Sequence, residues 1–303
     1  RAMEVNAGML EAMDFHIGRL IEHLRRAGAF ENTIFVVTSD NGPEGARLVA
    51  GSSLQQAFMR LWLHTHGYAE TGLDAMGGPG SSVAIGPEWA SAAASPSDLF
   101  KFHGADGALR VPLIMAGPGV PAGARVDALS LMADVMPTLI ELVDVDAASP
   151  DARAMTGRSL LPAIEARVEA IYGEDDLVGI EVAGNVGLYR GSLKLTRSLP
   201  PYGDGRWRVF DLGTDPGETR DLSVARPGLL ASMLADYEAW SQRMGVIEMP
   251  DGYAPVQEVG RKMAPLMLQR YWPWLLGMLV ALALALWSCI RLLRCGWRTL
   301  RAR

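Results

Sequence analysis

The sequence contains little cysteine and no excess of positive charge, and each absence excludes a class of protein. Its 303 residues include two cysteines, Cys289 and Cys295, both near the C-terminus, which excludes a disulfide-stabilised scaffold. The net charge of −6 argues against a nucleic-acid surface, so we expect no nucleic-acid partner. An initiator methionine and a signal peptide are also missing at Arg1, which already lies in a helical pattern. We therefore expect the chain to be an N-terminally truncated piece of a longer protein.

A long apolar run is present at the opposite end of the chain. Residues 271–290 read YWPWLLGMLVALALALWSCI, about the length that a membrane span requires. Tryptophans stand near both edges of the run, at Trp272, Trp274 and Trp287, as interfacial aromatic residues do. Five arginines follow it, namely Arg291, Arg294, Arg298, Arg301 and Arg303. This pattern predicts a single transmembrane helix with a cytoplasmic C-terminus and a periplasmic globular part; a buried core helix is the alternative.

The N-terminal part has the rhythm of an open α/β sheet. Apolar residues recur at helical spacing between Leu10 and Leu24, and Gly28 is a plausible stop. Residues 33–38 are apolar on both faces, which predicts an interior parallel strand. We expect a mostly parallel sheet flanked by helices, with ligand sites just beyond the carboxyl ends of the strands.

A second pattern begins after about Ala166. Short alternating segments are separated by turn residues and followed by an apolar helical stretch at residues 227–244, which predicts a small antiparallel sheet closed by a helix. The expected organisation is an α/β core (1–165), an antiparallel-sheet subdomain (166–248), a linker (249–270), the transmembrane helix (271–290) and a basic cytoplasmic tail (291–303).

Four polar positions are candidates for chemistry. Asp40 and Asn41 follow the predicted strand directly, and Gly42 permits a sharp turn. Carboxylate and carboxamide oxygens suit a hard cation such as Ca²⁺ or Mg²⁺, although Asp-Asn-Gly is also ordinary turn chemistry. Lys101 precedes a glycine-containing turn and could direct its ammonium at an anion, or be a solvated lysine. His103 is open to three interpretations: an acid, a partner of Asp106, or a loop histidine.

Several stretches, taken in order, resemble the C-terminal half of the formylglycine-dependent sulfatases, in the alkaline-phosphatase-like superfamily. They are EAMDFHIGRLIEHLRRAGAFENTIFVVTSDNGPEG, IGPEWASAAASPSDLFK, VPLIMAGPG, MADVMPTLIELV, GRSLLP and WRVFDLGTDPGETRDL. The segments GPEWA and ASPSDLFK are most similar to those of bacterial arylsulfatases. The sequence departs from the family at Asp106-Gly107-Ala108, where Glu or Gln followed by Gly-Gly is usual, and in its membrane segment.

The resemblance implies a role for each matching residue. Asp40 and Asn41 would be two ligands of a calcium ion, with magnesium as the second choice, and Lys101 would contact the sulfate oxygens. The substrate would be a small-molecule or glycan sulfate ester. The family's formylglycine comes from a Cys or Ser in a C/S-x-P-x-R motif, which this sequence lacks. We therefore expect the nucleophile in a missing N-terminal half, and no activity from this chain alone.

Two other functions remain compatible with these residues. Sulfate and phosphate esters are both tetrahedral oxyanions, so a phosphoester or phosphonate hydrolase of the same superfamily is the first alternative. A non-catalytic, membrane-tethered fragment is the second.

Overall fold

The computed structural model describes residues 1–47, 53–68, 72–145, 155–250 and 252–301. The last two positions of the predicted basic tail, including Arg303, lie outside the described residues. The chain separates into two units, Arg1–Glu248 and Met249–Arg303. The helices are α1 (Ala2–Arg26), α2 (Ser53–Thr65), α3 (Gly86–Ala94), α4 (Asp106–Leu109), α5 (Val135–Leu142), α6 (Leu161–Ile164), α7 (Pro227–Met244) and α8 (Pro255–Arg301). The strands are β1 (Phe35–Thr38), β2 (Leu113–Ala116), β3 (Leu177–Val182), β4 (Asn185–Arg190), β5 (Leu193–Arg197) and β6 (Trp207–Asp211).

Helix α1 contains the predicted amphipathic pattern and ends where the sequence indicates. Gly28 adopts a positive φ of 67°, and the Ala29 amide donates to the Leu24 carbonyl at 2.9 Å. This arrangement satisfies a carbonyl of the last helical turn in the manner of a glycine C-cap. On the apolar face of the helix, Leu10 and Met13 are more than half exposed, whereas Ile17, Ile21 and Leu24 are partly buried.

The expected parallel strand pairing is wrong for the strands that the structure describes. β1 pairs antiparallel with β2, in a register that sets Phe35 opposite Ala116 and Thr38 opposite Leu113. In the described part of the chain the strand is not interior either, because β1 pairs only with β2 and its last two residues, Val37 and Thr38, are exposed. A continuous apolar run is typical of parallel strands covered on both faces. Such a run does not indicate the direction of the partner strand. The connection from β1 to β2 through α2, α3 and α4 is long enough for a parallel or an antiparallel partner.

The predicted small antiparallel sheet closed by a helix is present, within the same unit as residues 1–165. Strands β3 to β6 form a meander in sequence order, and each neighbouring pair is antiparallel. Helix α7 covers one face of this sheet, with Met233 and Trp240 buried against Leu188, Leu195 and Val209. Fully burying a Met, Leu or Val side chain of this kind is worth about 1.5–3 kcal/mol.

The second unit consists chiefly of α8, a helix of 47 residues. Within it, Arg261–Arg291 is long and apolar enough to cross a membrane. The predicted span at residues 271–290 falls inside that segment, and Trp272, Trp274 and Trp287 are all exposed. Length and composition therefore agree with the sequence-based expectation of a candidate membrane span.

Candidate functional site

The first part of the candidate site is the turn that follows β1, here called the DNG loop (residues 39–45). Ser39 donates its hydroxyl to the Asn41 carbonyl at 2.9 Å, which tightens the turn just after the strand. The Gly42 amide donates to the Ala108 carbonyl at 2.8 Å. A Cβ at Gly42 would lie 1.9 Å from the Gly107 carbonyl oxygen. Only glycine allows the backbones to approach so closely at this point.

The second part is the segment that carries Lys101, here called the lysine loop (residues 98–108). Two of its non-glycine residues have left-handed backbone conformations, Leu99 with φ 58° and Phe102 with φ 75°. Each such conformation costs about 1–3 kcal/mol and persists only where surrounding contacts impose it. One of those contacts is the Gly107 amide, which donates to the Asp98 carbonyl at 2.9 Å and closes the loop.

The two loops pack directly against each other. The Lys101 amide donates to the Pro43 carbonyl at 3.1 Å, in addition to the bond between Gly42 and Ala108. Gly45 sits against the buried Phe100 ring, and a Cβ there would lie 2.2 Å from a ring carbon. The predicted metal ligands and the predicted anion-binding lysine are thus on two loops that share backbone hydrogen bonds.

The Lys101 side chain contacts the DNG loop as well. Its Nζ lies 3.1 Å from Glu44 Oε2, and the two side chains are 31% and 48% exposed. The same ammonium lies 5.4 Å from the centre of the Phe102 ring. An ammonium carries three N–H donors, so an anion can bind Lys101 while Glu44 remains in place.

The donor chemistry of the DNG loop fits a hard cation. Among the described residues, no hydrogen bond or ion pair engages the Asp40 carboxylate or the Asn41 carboxamide. Oxygen atoms that lack protein partners and follow a strand suit Ca²⁺, which takes 6–8 oxygen ligands. The same described part of the chain contains no group of three or more His, Cys, Asp or Glu residues suited to a metal. Asp40 and Asn41 can thus supply only part of a calcium site.

A buried ionic cluster lies behind the lysine loop, formed by Asp106, Tyr189, Lys194 and Glu218. Lys194 is fully buried and bonds to Asp106, and its Nζ is 2.9 Å from Glu218 Oε1. Tyr189 donates its hydroxyl to Asp106 at 2.7 Å, and the Asp106 amide donates to Glu218 Oε2 at 2.6 Å. The cluster joins α4 of the lysine loop to β4, β5 and the turn after β6.

Charge is unbalanced in this cluster, because one ammonium faces two carboxylates. Burial raises the pKa of Glu218 above its ordinary value, while the nearby Lys194 acts in the opposite direction. Burial, together with the Asp106 charge, also holds the pKa of Tyr189 well above its usual range, so its hydroxyl stays protonated as a donor. The contact between Glu218 Oε1 and Lys194 is an ion pair whose angle falls outside hydrogen-bond geometry.

Of the three interpretations of His103, the structure tests one, the partnership with Asp106. His103 is buried, and its Nδ1 lies 2.7 Å from the Phe100 carbonyl. Its ring packs edge-on against Phe100 and Tyr202. The side-chain partners of Asp106 are Tyr189 and Lys194, so among the described residues Asp106 is not the partner of His103.

Sequence reasoning missed Glu44 and the buried cluster. Lys194 stands between Leu193 and Leu195 in a strand, where alternation predicts a solvent-facing lysine. Glu218 lies within the closing motif DPGETRDL, and no spacing rule pairs it with a lysine 24 residues earlier. Asp106 was the one member of the cluster named from the sequence, as a possible partner of His103 and as a departure from the family pattern.

Comparison with known proteins agrees with the ordered motifs. Residues 1–145 match the family model described as Sulfatase. An uncharacterized sulfatase of Schizosaccharomyces pombe is 29% identical over 262 residues, covering 84% of this chain and 46% of that protein. An arylsulfatase of Klebsiella aerogenes is 30% identical over 173 residues, covering 56% and 35% respectively. Residues 1–145 of the chain thus form part of a sulfatase-family domain.

Solved structures support the same fold. The crystal structure described as Ps i-CgsB in complex with k-i-k-neocarrahexaose superimposes with a TM-score of 0.53 at 22% identity. The match covers 78% of this chain and 42% of that one. The chain thus spans less than half the length of these curated relatives and of this structural neighbour.

Proposed function

We propose that this chain is part of a sulfuric ester hydrolase, similar to the arylsulfatases, that acts on small-molecule or glycan sulfate esters. The observation that carries the proposal is the packing of the DNG loop on the lysine loop, through Gly42 and Ala108 at 2.8 Å and Lys101 and Pro43 at 3.1 Å. These contacts support a shared site in which Asp40 and Asn41 face a metal ion and Lys101 faces a sulfate group.

Each side chain has a separate task in this proposal. Asp40 and Asn41 would hold a calcium ion, which when bound supplies positive charge beside the sulfate oxygens. Lys101 would donate to a sulfate oxygen and stabilise the negative charge that builds up as the ester bond breaks. The nucleophile would be a formylglycine from the preceding part of the full-length protein, since the C/S-x-P-x-R motif is absent from this sequence.

The decisive experiment replaces Asp40 by Ala in the full-length protein. We expect loss of aryl sulfate hydrolysis and weaker calcium binding by calorimetry, with an unchanged circular dichroism spectrum. Asp127→Ala is the matched control, because Asp127 is an exposed carboxylate whose partner is Arg125 at 3.2 Å. Full activity and unchanged calcium affinity in Asp40→Ala would show that the metal assignment is wrong.

The same assay separates the alternatives. A higher kcat/KM for a phosphate ester than for the sulfate ester would identify a phosphoester hydrolase. A full-length protein without a C/S-x-P-x-R motif and without activity would identify a non-catalytic fragment.

We also propose that α8 anchors the protein in a membrane, with its C-terminus in the cytoplasm and the sulfatase part outside. The apolar segment Arg261–Arg291 and the arginines that follow it support this topology. A variant truncated at about Gly252 should remain in the soluble fraction after ultracentrifugation. If that variant still sediments with membranes, α8 is not the anchor.

A further inference from the structure

The feature that the proposed function does not use is Glu44, the carboxylate in contact with Lys101. Its Oε2 lies 3.1 Å from Lys101 Nζ, so the lysine assigned to bind the substrate anion is already paired with a negative charge. A site meant only to attract anions would leave that ammonium without such a partner. A carboxylate at this position can influence which anions bind to Lys101.

Glu44 is held near Lys101 by more than the flexible ion pair. It lies between Pro43, whose carbonyl accepts from the Lys101 amide, and Gly45, which packs on the Phe100 ring. The backbone on both sides of Glu44 is therefore fixed to the lysine loop. The next cation along the chain, Arg47, has its own carboxylate partner in Glu88.

The geometry sets the distance between Glu44 and a bound anion. The N–H bonds of an ammonium diverge at tetrahedral angles, so two acceptors on Lys101 lie about 5 Å apart. At that separation each additional negative charge on the ligand is repelled by Glu44. We expect this repulsion to weaken the binding affinity roughly tenfold per additional charge. That factor lies between the Coulomb energies obtained with effective dielectric constants of about 80 and about 20.

Sulfate and phosphate monoesters differ in their net charge at neutral pH. A sulfate monoester carries one negative charge, whereas a phosphate monoester carries about −1.5 to −2 at pH 7. We propose that Glu44 is a specificity-determining residue that selects singly charged esters over doubly charged phosphate monoesters at Lys101. This inference rests on the proposed function, because it takes Lys101 as the contact to the substrate anion.

The test uses the full-length protein and three aryl substrates that share one leaving group. They are a sulfate monoester, a phosphate monoester and a phosphonate monoester, of which only the phosphate monoester carries a second charge. In Glu44→Gln we expect kcat/KM for the phosphate monoester to rise about tenfold relative to the sulfate monoester. The ratio between the phosphonate and sulfate substrates should stay constant, because both carry one charge.

The control is Glu88→Gln, which removes a carboxylate from the neighbouring pair with Arg47. An unchanged phosphate-to-sulfate ratio in Glu44→Gln, or an equal change in Glu88→Gln, would overturn the inference. A rise of the phosphonate monoester together with the phosphate monoester would also overturn it, since phosphorus rather than charge would then be recognised.

Equilibrium binding separates this inference from the function on which it rests. The dissociation constants of methyl sulfate and phenyl phosphate are measured by calorimetry for the wild-type protein, Glu44→Gln and Lys101→Met. If Lys101→Met weakens both anions but Glu44→Gln leaves their ratio unchanged, Lys101 keeps its role and the inference about Glu44 fails. If Lys101→Met weakens neither anion, the assignment of Lys101 fails and the inference fails with it.

Discussion

In the described part of the chain, Lys101 and Lys194 both contact carboxylates, and their surroundings are opposite. Lys101 and Glu44 form a partly exposed pair between two loops. Lys194 is fully buried between Asp106 and Glu218, with the Tyr189 hydroxyl completing the group. An exposed pair leaves its ammonium free to bind another anion, whereas a buried cluster uses its donors on internal partners. The comparison separates a lysine suited to substrate binding from one that holds the site together.

The buried cluster around Lys194 is connected through α4 to the two loops that carry Lys101 and Glu44. Asp106 begins α4, and the next residue, Gly107, donates to Asp98 and closes the lysine loop. The Gly42 amide bonds to Ala108 in the same short helix. A change at Lys194 should therefore alter the placement of both loops, while a change at Lys101 should act only locally.

The largest expected effect comes from removing the buried ammonium. Lys194→Met leaves two buried carboxylates without their cation and should lower the free energy of unfolding by about 3–5 kcal/mol. Lys101→Met is the matched control, and its cost should stay below about 1 kcal/mol because its pair is solvent-exposed. Urea unfolding of the full-length protein in detergent measures both. Equal losses in the two variants would contradict the distinction between the lysines.

An intermediate effect is expected where the two loops touch. Gly42→Ala places a Cβ 1.9 Å from the Gly107 carbonyl oxygen, so the backbones must separate, at a cost of about 1–3 kcal/mol. The calcium affinity proposed for Asp40 and Asn41 should fall as well, because both residues lie on the displaced loop. The control Gly8→Ala, in α1 with no atom within 4 Å of its Cβ, should instead stabilise by about 0.5–1 kcal/mol. A neutral Gly42→Ala would show that the contact between the loops is not tight.

The smallest expected effect is a pH dependence that distinguishes buried from exposed carboxylates. Burial raises the folded-state pKa of Glu218 above 4.5, so its contribution to stability is complete below pH 4.5 and is lost as the pH rises through the folded value. The unfolding free energy of the wild type, measured relative to Glu218→Gln, should therefore fall as the pH is raised from 4.5.

Asp176 provides a control of opposite sign. The Arg158 guanidinium, with help from the Gly173 amide, lowers the pKa of Asp176 to about 2. Its contribution is present above its ordinary value of 3.8 and is lost as the pH falls toward 2. The wild type measured relative to Asp176→Asn should thus lose stability in acid. The same slope for both carboxylates would contradict the assignment of burial as the cause at Glu218.

Local patterns in the sequence were sufficient for much of the fold. Apolar spacing predicted α1, and the alternation and turn residues after Ala166 predicted the antiparallel sheet and α7. These elements depend on residues close to one another in the sequence, so the local sequence pattern is enough to predict them. The direction of β1 was predicted wrongly, since direction depends on a partner strand far along the chain.

For the candidate site, the sequence alone determined which residue types were present, namely Asp40, Asn41 and Lys101 with their turn-forming glycines. Only the tertiary structure decided that the loops carrying them share backbone hydrogen bonds, and that Glu44 faces Lys101. It also decided that Lys194 lies buried between two carboxylates, although the alternation of apolar and polar residues in its strand predicts a solvent-facing side chain. The physical reason is that charge pairing and close backbone contact depend on distances between residues far apart in the chain, which no local pattern encodes.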